Sequence, residues 1–368
     1  MTQWMMKAGA SRYGLAMGYF LAAALLLAAP LFTSDFRLNL LAKFLAFAIA
    51  AVGLDLLWGY TGILSLGHGV FFGLGGYAMA MHLKLQASGG RLPDFMDWSG
   101  LTKLPWFWTP FQSFGGAVLL GMAMPAAVAL FLGFFTFRNR IRGVYFTILT
   151  QALVIISVTL ITGQQAFTGG TNGITGYGQI LGYSLAAPET KLALYYVTAG
   201  VLLATFLAAR VVVKSRFGKV LRAIRDGENR VRFLGYDPAR YQMGVFVLSA
   251  ALSGIAGMLF VLHVGIISPS MMGIVPSIEM VLWVAIGGRG TLIGAALGAL
   301  LLNGAKSTFS ESYPDIWLFF MGALFIVTTV FLPRGIAGLA ADGWRRARKL
   351  VQKRKEVPEH ERKGYSAV

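Results

Sequence analysis

GYTGILSLGHGVFFGLGGY, residues 59–77, sets one serine, one histidine and seven glycines into a run built mostly from Ile, Leu, Val and Phe. Apolar stretches flank it on both sides. A segment of this kind suits a helix that is bare on one side and sticky on the other. Ser65, Gly69, Gly73 and Gly76 or Ala80 fall at spacings of three or four, so on a helix they line one smooth stripe that a second helix can approach closely. The same device returns as Gly290, Gly294 and Gly298 in GGRGTLIGAALGALLLNG. Such ladders serve tight helix packing, and helices packed this way can slide against one another around a pathway.

The composition fixes the solvent. The 368 residues are 56% hydrophobic and 13% charged, with mean hydropathy +0.66, so they cannot cover a water-soluble core with polar surface. Apolar stretches able to cross a hydrocarbon core of ~30 Å, about 20 residues each, recur at 13–32, 38–58, 63–83, 114–137, 144–161, 192–213, 241–262, 274–286 (short), 291–305 and 316–332. The expected fold is all-α, a polytopic integral membrane protein of about ten transmembrane helices with both termini cytoplasmic. Residues 1–12 form a cytoplasmic N-terminus, 13–333 the membrane domain and 334–368 a basic tail. A first span after Lys7 and Arg12 also fits a signal peptide, but its apolar run is long for one, and retention is expected. The absence of cysteine excludes disulfides, thiolate metal sites and cysteine nucleophiles.

The net charge of +17 is not spread over one face. It gathers in the loop with Arg138, Arg140 and Arg142, in the loop at 214–240 and in the tail, which is the positive-inside pattern rather than a nucleic-acid footprint. Those loops then face the cytoplasm, and two others face outward. The first carries Trp98, Trp106, Phe107 and Trp108 as an interfacial belt. The second, GQQAFTGGTNGITGYGQILGYSLAAPET, is rich in turn residues and could dock a soluble partner.

Three ionisable residues stand out inside spans: Asp55, His68 and Glu279. A carboxylate at a helix centre costs roughly 2.5–3.5 kcal/mol, so each needs a partner, a proton or an aqueous cavity. Together with Trp58, Ser65 and Trp283 they form the candidate substrate pathway; the alternative is that they simply hold helices together or reach interfacial water. Catalytic options are few. There is no HExxH, and Gly218-Lys219 lacks the rest of a phosphate-binding loop. Neither an enzyme activity nor a metal or other cofactor is expected.

The cytoplasmic loop KSRFGKVLRAIRDGENRVRFLGYDPARYQ is the most informative segment. Val220, Leu221 and Ile224 make one apolar face of a short helix, Arg222 and Arg225 lie outside it, and Gly227 can stop it. A second turn or two can follow from Glu228 to Leu234, before Gly235. An amphipathic element like this suits a lever pressed into a partner's groove, burying its face when the partner docks.

This loop resembles the ATPase-contacting loop in permeases of the branched-chain amino acid type of ABC importers. The likeness continues through residues 59–77, RGVYFTILTQ, FTGGTNGITG and IGGRGTLIGAALGA, and spans roughly residues 40–333. GLDLLWGYTG, SLGHGVFFGLGGY and SIEMVLWVAIGGRGTL are most similar to the urea-importing branch. The resemblance implies a permease in a bacterial plasma membrane, paired with a second homologous permease, two cytoplasmic ATPase subunits and an external binding protein. It assigns ATPase coupling to Ser215, Arg216, Phe217, Gly218, Leu221, Arg222, Ala223, Ile224, Arg225 and Gly235. Urea would need acceptors facing one another across a narrow gap, for which Asp55 and Glu279 are the candidates, with Trp58 and Trp283 stacking on its planar faces. Branched-chain amino acid import by the same kind of permease is the alternative, and an ion-coupled carrier or a channel would not need the amphipathic loop.

Overall fold

The computed structural model describes residue 24 and residues 26–312, 316–331 and 335–339. Most of the expected first span, the N-terminus and the basic tail lie outside the described residues. Helices dominate: α1 (Asp35–Thr61), α2 (His68–Ala87), α3 (Phe114–Arg138), α4 (Val144–Gly163), α5 (Pro188–Lys214), α6 (Arg216–Phe233), α7 (Pro238–Val264), α8 (Ile274–Gly287), α9 (Leu292–Ser312) and α10 (Trp317–Phe331). The loop before α5 adds a small hairpin, Gln179–Ile180 with Tyr183–Ser184.

Among the described residues, six helices are long and apolar enough to cross a membrane: α1, α3, α4, α5, α7 and Leu292–Phe309 of α9. That is fewer than the expected ten. The α2 segment is diluted by His68, His82, Lys84 and its glycines, and α8 has 14 residues. Burial divides the helices by position. α1 and α7 are apolar all round and buried along most of their length, as central helices are. α3, α4 and α5 expose large apolar side chains such as Phe131, Ile155, Ile156, Leu160 and Leu207.

Glycine sets how closely the centre packs. A Cβ at Gly75 would run into the backbone of Gly254, and one at Gly257 into the Phe72 carbonyl, so α2 and α7 touch through their main chains. Gly294 and Gly298 of α9 lie against Gly287 and the Trp283 carbonyl of α8 in the same way. Gly290, the third member of that sequence ladder, sits instead in the turn between α8 and α9.

Residues 59–77 are not one helix. α1 stops at Gly62, whose φ of 80° is left-handed and whose N–H returns to the Trp58 carbonyl. Residues 63–67 then run without helical structure and α2 begins only at His68, so Ser65 leaves the expected stripe. Gly69 and Gly73 meet Met272, while Gly76 meets Ile267 and Val261. The far side of the bundle repeats the plan. α7 has 27 residues, as α1 does, ends on Gly265 at φ 76°, and is followed by an irregular stretch before α8.

Non-helical backbone inside a membrane domain must find its hydrogen bonds in the protein. Leu66 N–H donates to Thr150 Oγ1 (3.1 Å), and the Thr147 hydroxyl donates to the Leu64 carbonyl (3.0 Å). Ile267 and Ile174 also exchange backbone bonds of 2.9 and 3.2 Å, so the TNGI stretch is stitched to the irregular segment before α8. The starts of α2 and α8 abut, with Gly69 N–H donating to Ser277 Oγ at 3.3 Å.

Candidate functional site

The structure divides the candidate pathway residues among three places. Asp55 and Trp58 belong to the C-terminal end of α1. Asp55 is fully buried, and its Oδ1 accepts from Gly290 N–H at 2.6 Å. The Tyr60 hydroxyl donates to the Gly290 carbonyl (3.0 Å), and the Arg289 guanidinium lies over the Trp58 ring at 5.0 Å. Arg225 of α6 donates to the Gly59 carbonyl at 2.8 Å. One knot therefore joins α1, the turn between α8 and α9, and α6. Burial, then the nearby Arg225, lower Arg289 from its ordinary pKa, while the Asp55 charge acts in the opposite direction.

Ser65 and His68 form a second, closed group. His68 Nε2 lies 2.7 Å from Ser249 Oγ and Nδ1 lies 3.0 Å from Ser65 Oγ. Ser249 donates its own proton to the Gly53 carbonyl (2.6 Å). Ser249 must then accept from Nε2–H, which leaves Nδ1 to accept from Ser65, a neutral imidazole with both nitrogens satisfied. This chain ties the first residue of α2 to α7 and α1.

Glu279 and Trp283 lie in a third place, with partners the sequence reading missed. Glu279 Oε1 is 2.5 Å from Lys306 Nζ of α9, and Lys43 of α1 lies within electrostatic reach of both. Lys43 sits 5.9 Å from the ring centroids of Phe47 and Phe260, and Phe47 packs on Trp283 at 4.8 Å. Asp55 and Glu279 share no partner and do not present the facing acceptors expected for urea: one is held by Gly290 and the other by Lys306. The missed signals were Lys43 interrupting LLAKFLAFAIAAV and Lys306 in NGAKST.

The loop expected to be cytoplasmic is ordered as α6, capped by Ser215, whose side chain accepts from Gly218 N–H. Gly227 leaves helical geometry at φ −177° and ψ 75°, which kinks the element where the sequence suggested a stop. Leu221 and Ile224 are buried against the protein's own helices, which corrects the expectation that this face waits for a partner. Arg216, Lys219, Arg222 and Ala223 face outward, as do Phe233 (91% exposed), Leu234 and Tyr236 around Gly235. Phe217 packs on Tyr241, and a Cβ at Gly218 would meet the Val212 and Val213 carbonyls. Glu228 pairs with Arg142 (3.0 Å) and Arg232 (2.9 Å), which puts both arginine-rich loops at one end of the molecule.

At the other end, Trp108 Nε1 donates to the Phe167 carbonyl (3.0 Å), so the two expected external loops are joined. Trp98 and Trp106 are exposed as a belt residue should be, whereas Trp108 is buried. Burial raises the Tyr177 phenol above its ordinary pKa.

A family profile described as the permease component of the branched-chain amino acid transport system matches residues 36–329. The high-affinity branched-chain amino acid transport system permease protein LivM of Escherichia coli (strain K12) is 25% identical over 341 residues, covering 86% of this chain and 74% of that protein. BraD of Pseudomonas aeruginosa, described in the same terms, is 25% identical over 312 residues, 79% of this chain and 91% of its own. A second Escherichia coli (strain K12) permease protein of the same description, LivH, is 24% identical over 302 residues, 79% of this chain and 91% of that protein. These relatives support the branched-chain amino acid type and not the urea branch expected from the sequence. No solved structure matches.

Proposed function

The chain belongs to the family of permease components of the branched-chain amino acid transport system, and from that premise we propose that it is the membrane-spanning permease of an ATP-driven importer of branched-chain amino acids. It works beside a second, homologous permease in a bacterial plasma membrane. Two related permease proteins in one bacterium, LivM and LivH, both resembling this chain, support that pairing. ATP is handled by separate cytoplasmic ATPase subunits and cargo arrives on an external binding protein.

The observation that carries the reading is the wiring of α6. Its outer surface, with Arg216, Lys219, Arg222 and Ala223, is open at the arginine-rich end, while its inner surface is built into the bundle through Leu221, Ile224 and the Arg225–Gly59 bond. A partner that pulls on α6 therefore pulls on the end of α1 and, through Asp55 and Gly290, on the turn between α8 and α9. A free channel has no use for such a linkage. Coupling then requires that these contacts differ between the outward- and inward-open states.

The test is reconstitution of the complete transporter in proteoliposomes, with labelled leucine offered on the binding protein and with ion gradients collapsed. Leucine uptake that requires ATP inside the partner-facing compartment supports the reading. Uptake of urea in preference to leucine, or leucine uptake driven by an ion gradient without ATP, overturns it.

A further inference from the structure

Lys43, Glu279 and Lys306 come from three helices, α1, α8 and α9; Glu279 pairs with Lys306, and Lys43 lies within electrostatic reach of both. Glu279 is satisfied by Lys306 at 2.5 Å. Among the described residues no carboxylate lies within ion-pair distance of Lys43; its ammonium rests instead beside the Phe47 and Phe260 rings. A cation in a transmembrane helix is costly unless it is given something to do, and such residues line pathways. Lys306 remains 37% exposed and Glu279 10% exposed, so the group is open at one side rather than sealed in the core.

The surroundings are ordered in two steps. Lys43 and Phe47 are four residues apart on α1, and Glu279 and Trp283 are four apart on α8, so each helix presents a charge above an aromatic ring. The rings of Phe47 and Trp283 touch at 4.8 Å, and Phe260 and Phe72 complete the wall. The Trp283 indole N–H is buried without a hydrogen-bond partner among the described residues. An unpaired donor and an unpaired cation beside an apolar wall form a site short of one acceptor group.

We propose that Lys43 recognises the α-carboxylate of the amino acid as it passes through this subunit, with Glu279 taking the α-ammonium and the side chain lying along Phe47 and Trp283. This rests on the reading that the cargo is an amino acid. A zwitterion brings one negative and one positive group, so its carboxylate supplies Lys43 and the released Lys306 with a partner while its ammonium replaces Lys306 on Glu279. Every charge is paired before and after, except that Lys43 gains a partner only when cargo is present. Urea, neutral and without a carboxylate, offers Lys43 a carbonyl at best.

The experiment uses the complete reconstituted transporter and labelled leucine at saturating binding protein. Lys43→Met is expected to lower the maximal leucine uptake rate of the assembled transporter by about tenfold or more. Lys43→Arg, which keeps the charge, restores at least part of the uptake. Wild-type uptake by Lys43→Met, or an equal loss in Lys43→Arg and Lys43→Met, overturns the proposal. If Lys43→Met does not assemble, Lys43→Gln is read by the same criteria. A wild-type complex that imports no leucine would defeat the cargo reading itself, which separates that failure from this one.

Discussion

Single residues in this membrane domain divide by whether their polar atoms are closed off or left open. His68 is closed: both nitrogens, both serine hydroxyls and the Gly53 carbonyl are accounted for, and the group serves to pin the start of α2. Asp55 is half closed, since Oδ1 holds Gly290 while Oδ2 is buried with no partner among the described residues. The Gly290 N–H and, after it, the Arg289 charge are the groups that act on this carboxyl. Asp55→Asn keeps the shape and an acceptor for Gly290 but removes the attraction to Arg289, and Asp55→Ala removes the bond too. The expected order of thermal stability for the purified permease is wild type, then Asn, then Ala, with the charged hydrogen bond worth about 1.5–3 kcal/mol. Equal unfolding midpoints for all three would show that the knot at the end of α1 holds nothing. The polar residues were legible in the sequence as buried cost. Apart from Ser65, three residues before His68, their partners were not: Gly290 and Ser249 lie 235 and 181 residues away, and even Lys306 is 27 residues from Glu279, so nothing in local spacing joins them.

At the scale of elements, the sequence read α6 well along its length and wrongly across it. Leu221 and Ile224, three residues apart on one helix face, and Gly227 as the interruption, are where the structure has them. The direction of the apolar face was misjudged, since an amphipathic pattern says that one face is covered but not by what. The two faces give separable variants. Ile224→Ala should destabilise the permease itself by about 2–5 kcal/mol, as a truncated core residue does, seen as a lower unfolding midpoint without any ATPase present. Arg222→Ala, on the exposed face, should leave that midpoint in place and reduce substrate-stimulated ATPase activity of the assembled transporter. Among the described residues its side chain reaches only the Gly218 and Val213 carbonyls, at 3.4 and 3.3 Å. Should Arg222→Ala unfold the permease and Ile224→Ala weaken only coupling, the assignment of the faces is inverted. The break at residues 63–67 was illegible for a different reason. Ile63, Leu64 and Leu66 are good helix residues, and the stretch stays irregular because Thr147 and Thr150 of α4 supply its hydrogen bonds.

For the whole molecule, orientation rests on two independent arguments that agree on which loops belong together. The positive-inside rule assigns the arginine-rich loops to the cytoplasm from charge alone. The structure joins those loops through Glu228 with Arg142 and Arg232, and joins the tryptophan-bearing loop to the Gly- and Thr-rich loop through Trp108 and Phe167. The pairing shows two ends, and the charge rule gives an expectation of which end is inside. Asn172 and Asn229 are both exposed, one at each end, and the protein has no cysteine of its own to confuse labelling. A single Asn172→Cys protein in intact cells should therefore react with a membrane-impermeant thiol reagent, and Asn229→Cys only after the membrane is permeabilised. Because Asn229 lies just past the Gly227 kink on the exposed side of α6, the same residue also reports on docking. Its labelling in opened membranes should slow when the ATPase subunits are present, since the surface around Arg222 and Ala223 would then be covered. Labelling of Asn229→Cys from outside would reverse the orientation and with it the assignment of α6 as the ATPase-facing element. Equal labelling with and without the ATPases would keep the orientation and move the docking surface elsewhere, towards the exposed Phe233, Leu234 and Tyr236.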